Sequence, residues 1–307
     1  MVTRFLVTVL AAVMVTACSE TTSPSRSSTH HASQTPSTSS TPRATLAGCP
    51  PAVSEGSLPV LAHISGDPDD ITAAPSGHLW LSDRNGERIL ELDTSGKVLH
   101  TYFDRNGPEG IVVLDDGKLI VAQQVPNRLD LFDPKTATFT PWLQLGATSL
   151  PTDGVDGITR EGPAVLVPDS ARGQLFSVGI DPRNAAQTPV LIAGGLGRPV
   201  AALQLPDASY LVAVENDPGL WRVPTSITTA TPVSGLHSLD DLLFVNGVVY
   251  ATDLADHSLI AIDVAAGKAR TLVSGAMSPQ GVALLSTGNL VLVDSSDGLV
   301  ALLPPCR

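Results

Sequence analysis

Acidic residues recur at regular intervals along the chain, each just before a short apolar run. Successive positions are 40, 47, 44, 40 and 40 residues apart, and they hold, in order, Asp69, Glu109, Asp156, Val200, Asp240 and Gln280. Carboxylate and amide oxygens are the ligands that Ca²⁺ accepts, in loose geometry and in sets of about six to eight. Carboxylates brought close together also repel one another unless a cation neutralises them. If the fold gathers these side chains, the pattern predicts a calcium site.

The elements that carry these residues form a segment repeated six times between Pro68 and the C-terminus. The second copy has an inner strand at 111–114, a Gly turn at 115–118, a strand at 119–122, a third strand at 128–133 and an outer strand at 138–143. A period near forty with about four strands is typical of a β-propeller. The sequence therefore predicts an all-β, six-bladed β-propeller that directs one equivalent residue per blade to a common mouth.

The sixth copy lacks an outer strand and stops at Cys306. The unassigned apolar stretch 58–64 is expected to supply that strand, so that an N-terminal strand closes the last blade. This closure would bring Cys49 next to Cys306, and disulfides persist in exported proteins. We therefore predict a Cys49–Cys306 disulfide, with two unpaired thiols as the alternative.

The N-terminus carries Arg4, an apolar run at 5–15 and small residues before Cys18, as a secretory signal peptide does. The run is shorter than the roughly 20 residues that a membrane-spanning helix needs. Residues 15–18 resemble a bacterial lipobox, in which the thiol of Cys18 is lipidated after cleavage. An ordinary secretory cleavage with a free Cys18 is the alternative.

Three regions follow from this interpretation of the N-terminus. Residues 1–17 are predicted to be a lipoprotein signal peptide, 18–48 a flexible tether rich in Ser, Thr and Pro, and 49–307 the propeller. The expected location is the outer face of the cytoplasmic membrane or the cell envelope.

Charge narrows the range of partners. Residues 49–307 contain 15 basic and 29 acidic residues, a net charge of −14. This charge argues against nucleic acid and anionic lipid as direct partners. It is compatible with a cation, a small polar ligand or a basic protein partner. We expect a monomer that meets the membrane through its lipid anchor only.

The repeats also resemble known families. Pro-x-Gly-Ile or Pro-x-Gly-Val before a strand, as at 108–111 and 279–282, with a Gly turn and an Asp ending the second strand, resembles the NHL-repeat proteins. It also resembles the senescence-marker/gluconolactonase (paraoxonase-like) propellers, over the whole of 49–307. The resemblance implies a calcium ion at the tunnel mouth, with Asp70 and Asp241 as paired acidic positions. The ligands it implies are Asp69, Glu109, Asp156, Asp240 and Gln280.

Two functions are compatible with these residues. The first is a binding module that presents an acidic, calcium-loaded mouth to a small polar ligand or protein. The alternative, implied by the resemblance, is a calcium-dependent lactonase or esterase in which Asp240 or His237 activates water. The sequence departs from those enzymes in lacking their Asn ligands and in placing Val200, which offers no ligand atom, in the fourth blade.

Overall fold

The computed structural model describes residues 45–225, 230–233 and 235–307. The predicted signal peptide and lipidation site at Cys18 lie outside these residues, as does the tether up to residue 44. Apart from strands and turns, the described chain contains four short 3₁₀ helices, at Leu46–Gly48, Glu55–Ser57, Pro151–Asp153 and Ser170–Arg172. Within the described ranges, no helix has the length and apolar character needed to cross a bilayer.

The predicted six-bladed β-propeller is confirmed, with six sheets following one another along the chain. Two N-terminal strands precede the first blade, β1 (Val53–Ser54) and β2 (Val60–His63). Blade one contains β3 (Pro68–Ala73), β4 (Leu79–Asp83), β5 (Arg88–Leu92) and β6 (Val98–Phe103). Blade two contains β7 (Pro108–Val113), β8 (Leu119–Gln123), β9 (Arg128–Asp133) and β10 (Thr138–Gln144). Blade three contains β11 (Thr159–Glu161), β12 (Ala164–Asp169), β13 (Gln174–Gly179) and β14 (Val190–Gly194).

The second half repeats the same antiparallel arrangement. Blade four contains β15 (Pro199–Gln204), β16 (Tyr210–Val214), β17 (Leu220–Val223) and β18 (Thr231–Pro232). Blade five contains β19 (Leu239–Val245), β20 (Val248–Asp253), β21 (Ser258–Asp263) and β22 (Lys268–Ser274). Blade six contains β23 (Pro279–Leu284), β24 (Leu290–Asp294) and β25 (Leu299–Leu303), and β2 pairs with β25 as its outer strand.

The innermost strands of the blades contact one another in a closed ring. Contacts run from β3 through β7, β11, β15, β19 and β23 and return from β23 to β3. The second strand of each blade is sandwiched between neighbouring sheets, so β8 reads Leu-Ile-Val-Ala-Gln and all five residues are buried. Apolar side chains on both faces of such strands fill the space between blades, and this burial stabilises the ring.

The closure of the ring matches the prediction from the sequence. Strand β2 pairs antiparallel with β25 and supplies the missing outer strand of blade six. The Cys49–Cys306 disulfide is present and links the two ends of the propeller. An additional contact was not predicted, because β1 pairs in parallel with β22 and adds a fifth strand to blade five. The N-terminal segment therefore fastens two neighbouring blades.

One buried carboxyl group lies in this N-terminal segment. Glu55 begins the 3₁₀ helix between β1 and β2, and only 8% of the residue is exposed. Its Oε1 atom is buried and has no hydrogen-bond partner among the described residues. Burial raises the pKa of Glu55 to about 8, and the nearby carboxylates of Asp294 and Asp297 add to the effect. Glu55 is therefore a neutral acid packed against blade six at neutral pH.

Candidate cation site at the mouth of the propeller channel

The recurring acidic positions lie in irregular backbone at the start of each innermost strand. The pairing of the first two strands shifts register at this point in five blades, for example between Pro68 and Ile71 and between Leu239 and Leu242. In blade three β11 starts only at Thr159, so Asp156 precedes the strand. A bulge leaves residues unpaired and re-aims their side chains. This local irregularity, rather than the regular ladder, turns the acidic residues toward the axis.

Three of the predicted ligands come together. Asp69, Glu109 and Asp156 each offer a carboxylate oxygen, and these oxygens all lie within 4.8 Å of one another. All three residues are buried, with relative exposures of 6%, 1% and 7%. The Oε2 atom of Glu109 has no hydrogen-bond partner among the described residues, although it is buried. Blades one, two and three thus supply one carboxylate each to a compact group.

The other two predicted ligands, Asp240 and Gln280, stand outside this group of three. They line a small cavity that two members of the group also border. The cavity is bordered by Asp69, Asp156, Asp240 and Gln280, together with the residues that follow them in the bulges. The volume of this cavity is about 10 Å³, which is the space that a single water molecule or ion needs. The amide nitrogen of Gln280 donates to the Ser278 hydroxyl at 2.9 Å, which leaves its carbonyl oxygen for a ligand.

Two arginines, which the sequence analysis did not identify, lie against the acidic group. Arg84 follows β4 and donates to Glu109 Oε1 and to Asp67 Oδ2, at 3.3 Å in each case. Arg198 precedes β15 and donates to Asp156 Oδ2 at 2.9 Å, and it also pairs with Glu215. Both places recur in the blades, directly after the second strand and directly before the innermost one, but arginine occupies each place in a single blade, so the repeat pattern carries no signal for them.

Burial and mutual repulsion raise the pKa values of several of these acids. Burial, followed by the charge of Asp156, raises the pKa of Asp69 to about 7. The pKa of Glu109 is raised well above its usual range by burial and by Asp69 and Asp156, and Arg84 only partly opposes this. Burial and the same two aspartates raise the pKa of Asp240. The two arginines therefore do not neutralise the acidic mouth.

The two paired acidic positions lie one residue deeper along the axis. Asp70 and Asp241 border the small cavity and also the wider channel beyond it. Burial raises the pKa of Asp241 to about 7, against the opposing effect of backbone donors from Val282 and Leu242. Burial, followed by the charge of Asp241, raises the pKa of Asp70. The mouth consequently carries acidic side chains at two successive levels along the propeller axis.

His237, one of the two candidate catalytic residues, lies on the surface. Its side chain is 58% exposed, and its Nδ1 atom lies 2.8 Å from Oδ1 of the exposed Asp217. This hydrogen bond, with the charge of Asp217, raises the pKa of His237. The residues bordering the small cavity include Asp240, the other candidate, and do not include His237.

Comparison with known proteins places the chain among propellers by structure alone. No protein-family model and no curated sequence matches it. A gluconolactonase from Xanthomonas campestris is similar, with a TM-score of 0.66 at 12% identity over 80% of this chain and 88% of the other. Regucalcin from Agrobacterium tumefaciens, a calcium-binding protein, has a TM-score of 0.65 at 14% identity over 82% of this chain and 97% of the other.

A third protein of similar structure is named as a different class of enzyme, a lyase. Virginiamycin B lyase from Staphylococcus aureus, in an inactive form with quinupristin, has a TM-score of 0.54 at 11% identity, over 79% of this chain and 87% of the other. Identities this low demonstrate a common fold and nothing finer, since one fold hosts many activities. The resemblance to gluconolactonase-like propellers is therefore confirmed at the level of the fold.

Proposed function

We propose that this protein is a calcium-binding propeller, which uses the cation at its channel mouth to bind a small polar ligand. The observation that carries the proposal is the group formed by Asp69, Glu109 and Asp156, whose carboxylate oxygens lie within 4.8 Å of one another. A bound Ca²⁺ would leave part of its coordination sphere to ligand oxygens or water. A basic protein partner is compatible with the same acidic mouth.

The residues present fit such a cation. The carboxylates of Asp69, Glu109 and Asp156 are hard oxygen donors, and the buried Oε2 of Glu109 lacks a partner that a cation would supply. The carbonyl oxygen of Gln280 adds a neutral donor. Calcium tolerates the irregular arrangement of such a group, whereas Mg²⁺ demands a near-ideal octahedron.

Charge balance supports the same conclusion. Among the described residues, Arg84 and Arg198 are the two cationic groups paired with this acidic group and its immediate neighbours. Facing them are six carboxylates, those of Asp67, Asp69, Glu109, Asp156, Glu215 and Asp240. Since two guanidinium groups cannot balance six carboxylates, a divalent cation improves the electrostatics of the mouth.

A titration tests the calcium site. We expect CaCl₂ to raise the melting temperature of the protein more than MgCl₂ does, and D156N to weaken calcium binding at least about tenfold, or about 1.4 kcal/mol. D256N is the matched control, because Asp256 is an exposed aspartate of blade five. A melting temperature insensitive to millimolar calcium, or equal calcium affinity in D156N and wild type, would contradict the proposal.

A calcium-dependent lactonase or esterase is the second candidate. The observation that favours it is Asp240, a buried acid that borders the small cavity and stands outside the group of three carboxylates. Asp240 could therefore take a proton from water while the other three carboxylates hold the cation. Gluconolactone and aryl esters are the substrates to assay, with calcium and then with chelator. Turnover that chelator removes and D240N abolishes would support the enzyme; calcium binding without turnover would support the binding module.

We further propose that the propeller is a monomer held by lipid on Cys18 at the outer face of the cytoplasmic membrane or in the cell envelope. The support is the sequence around residues 15–18 and the Ser/Thr/Pro-rich tether up to residue 48. A tether of this kind separates the acidic propeller from the anionic lipid surface, which it would otherwise be repelled by. The propeller would then lie outside the cytoplasm.

A further inference from the structure

A second cavity lies along the propeller axis, beyond the acidic mouth. Its volume is about 350 Å³, within the range of small-molecule pockets. Innermost strands of five blades line it, and most of the lining is apolar, including Ile71, Val112, Ile158, Leu243 and Ala283. Such a lining favours the apolar part of a ligand, because burial of that part removes it from water.

Two carboxylates form the floor of this apolar channel. Asp70 and Asp241 border both the channel and the small cavity under the mouth, so they lie where the two meet. The equivalent positions in the other four blades are occupied by Gly110, Gly157, Ala201 and Gly281. Only blades one and five therefore place an acidic side chain at this level of the axis.

The hydrogen bonds of the two carboxylates leave acceptor capacity in the channel. Asp241 accepts the backbone N–H of Leu242 at 2.7 Å and that of Val282 at 2.8 Å, through different oxygens. Asp70 accepts the N–H of Ile71 through Oδ1 at 2.9 Å. Among the described residues no hydrogen bond reaches Asp70 Oδ2, and no side-chain cation forms an ion pair with Asp70 or Asp241.

The arginines of the region are engaged elsewhere. Arg84 and Arg198 pair with the acids of the mouth, and Arg160, at the far part of the channel, pairs with the exposed Asp115. An apolar channel that ends in two acidic side chains without a cationic partner is complementary to a cation with an apolar tail. We propose that the channel binds an amphipathic primary amine, with its ammonium group at Asp70 and Asp241 and its hydrocarbon chain along the innermost strands.

Straight-chain amines are suitable probes. Binding of n-hexylammonium to the purified full chain is measured by calorimetry in the presence of EDTA, so that the calcium site plays no part. We expect saturable binding whose affinity rises about two- to four-fold per methylene from butylammonium to hexylammonium. A fully buried CH₂ contributes about 0.8 kcal/mol, or about four-fold in affinity, and a partly buried one contributes less. Hexanoate and hexanol, which have the same tail without the cation, should bind at least about tenfold more weakly.

Variants separate this channel from the mouth. D70N should weaken hexylammonium binding at least about tenfold, and T159F, which fills the channel at a lining threonine, should abolish it. D256N, which changes an exposed aspartate of blade five, should leave it unchanged. Melting temperatures of D70N and T159F show whether each variant is folded. D70N removes an acidic group and T159F fills space, so if one variant unfolds, the other still tests the channel.

Two results would overturn the inference. Equal affinity for hexanol and hexylammonium would mean that the carboxylates do not recognise the ligand. Hexylammonium binding that persists in both D70N and T159F but disappears in D156N would place the amine at the mouth. Either result would leave the calcium proposal standing, because that proposal is tested by calcium titration of D156N.

Discussion

The buried Glu55 allows a sharp test of how the N-terminal segment is held. The E55Q substitution keeps the shape of the protonated side chain. Its amide group places a hydrogen-bond donor beside Asp294 at every pH. An acid with a raised pKa binds its proton more tightly in the folded state than in the unfolded state. Its stabilising contribution is therefore fully present below the unfolded pKa of 4.5 and is lost as the pH rises through about 8.

The size of the effect follows from the pKa of Glu55. One pKa unit corresponds to about 1.4 kcal/mol, so the interval from pH 5 to pH 8 corresponds to about 4 kcal/mol as an upper value. Solvent at the edge of the N-terminal segment screens part of this, which reduces the expected change to about 2 kcal/mol. E55Q should match wild type at pH 5 and exceed its free energy of unfolding by about 2 kcal/mol at pH 8.

Urea unfolding of both proteins at pH 5, 6.5 and 8 measures this difference. The acids of the channel mouth titrate identically in the two proteins, so they cancel in the comparison. E87Q is the matched control, because the Glu87 side chain is 56% exposed, and its pH profile should run parallel to that of wild type. If E55Q and wild type also gave parallel profiles from pH 5 to pH 8, the proposed protonated Glu55 would be refuted.

Three further outcomes are expected. R198Q should lower the free energy of unfolding by about 3 kcal/mol in chelator, because it leaves the buried Asp156 without its counter-charge, and calcium should recover part of the loss; equal stability with and without chelator would contradict this. C49A/C306A should cost about 2 to 4 kcal/mol in urea unfolding, since the disulfide closes a loop of 257 residues and restricts the unfolded chain; a reduced wild type as stable as the oxidised one would show otherwise. C18A should abolish incorporation of labelled fatty acid and release the protein from the membrane fraction; unchanged labelling would rule out Cys18 as the lipidated residue.

Local patterns in the sequence were sufficient for the fold. Alternating apolar runs with Gly turns specify each hairpin, and their repetition near every forty residues leaves a closed ring as the way to bury both faces of strands such as β8. The incomplete sixth copy predicted both the closing strand β2 and the Cys49–Cys306 disulfide. The parallel pairing of β1 with β22 was not predictable, because two residues at an edge carry no periodic signal.

The sequence by itself determined which acids face the axis, since Asp69, Glu109 and Asp156 occupy one repeated position and a repeated position converges in a ring. Only the tertiary structure decided which of the acids have carboxylate oxygens within 4.8 Å of one another. Asp240 does not belong to that group, although it lines the small cavity beside it. The tertiary structure also decided that Arg84 and Arg198 reach the same acids. The physical reason is that a repeat fixes backbone positions blade by blade, whereas bulges and long side chains that occur in single blades set the distances between charges.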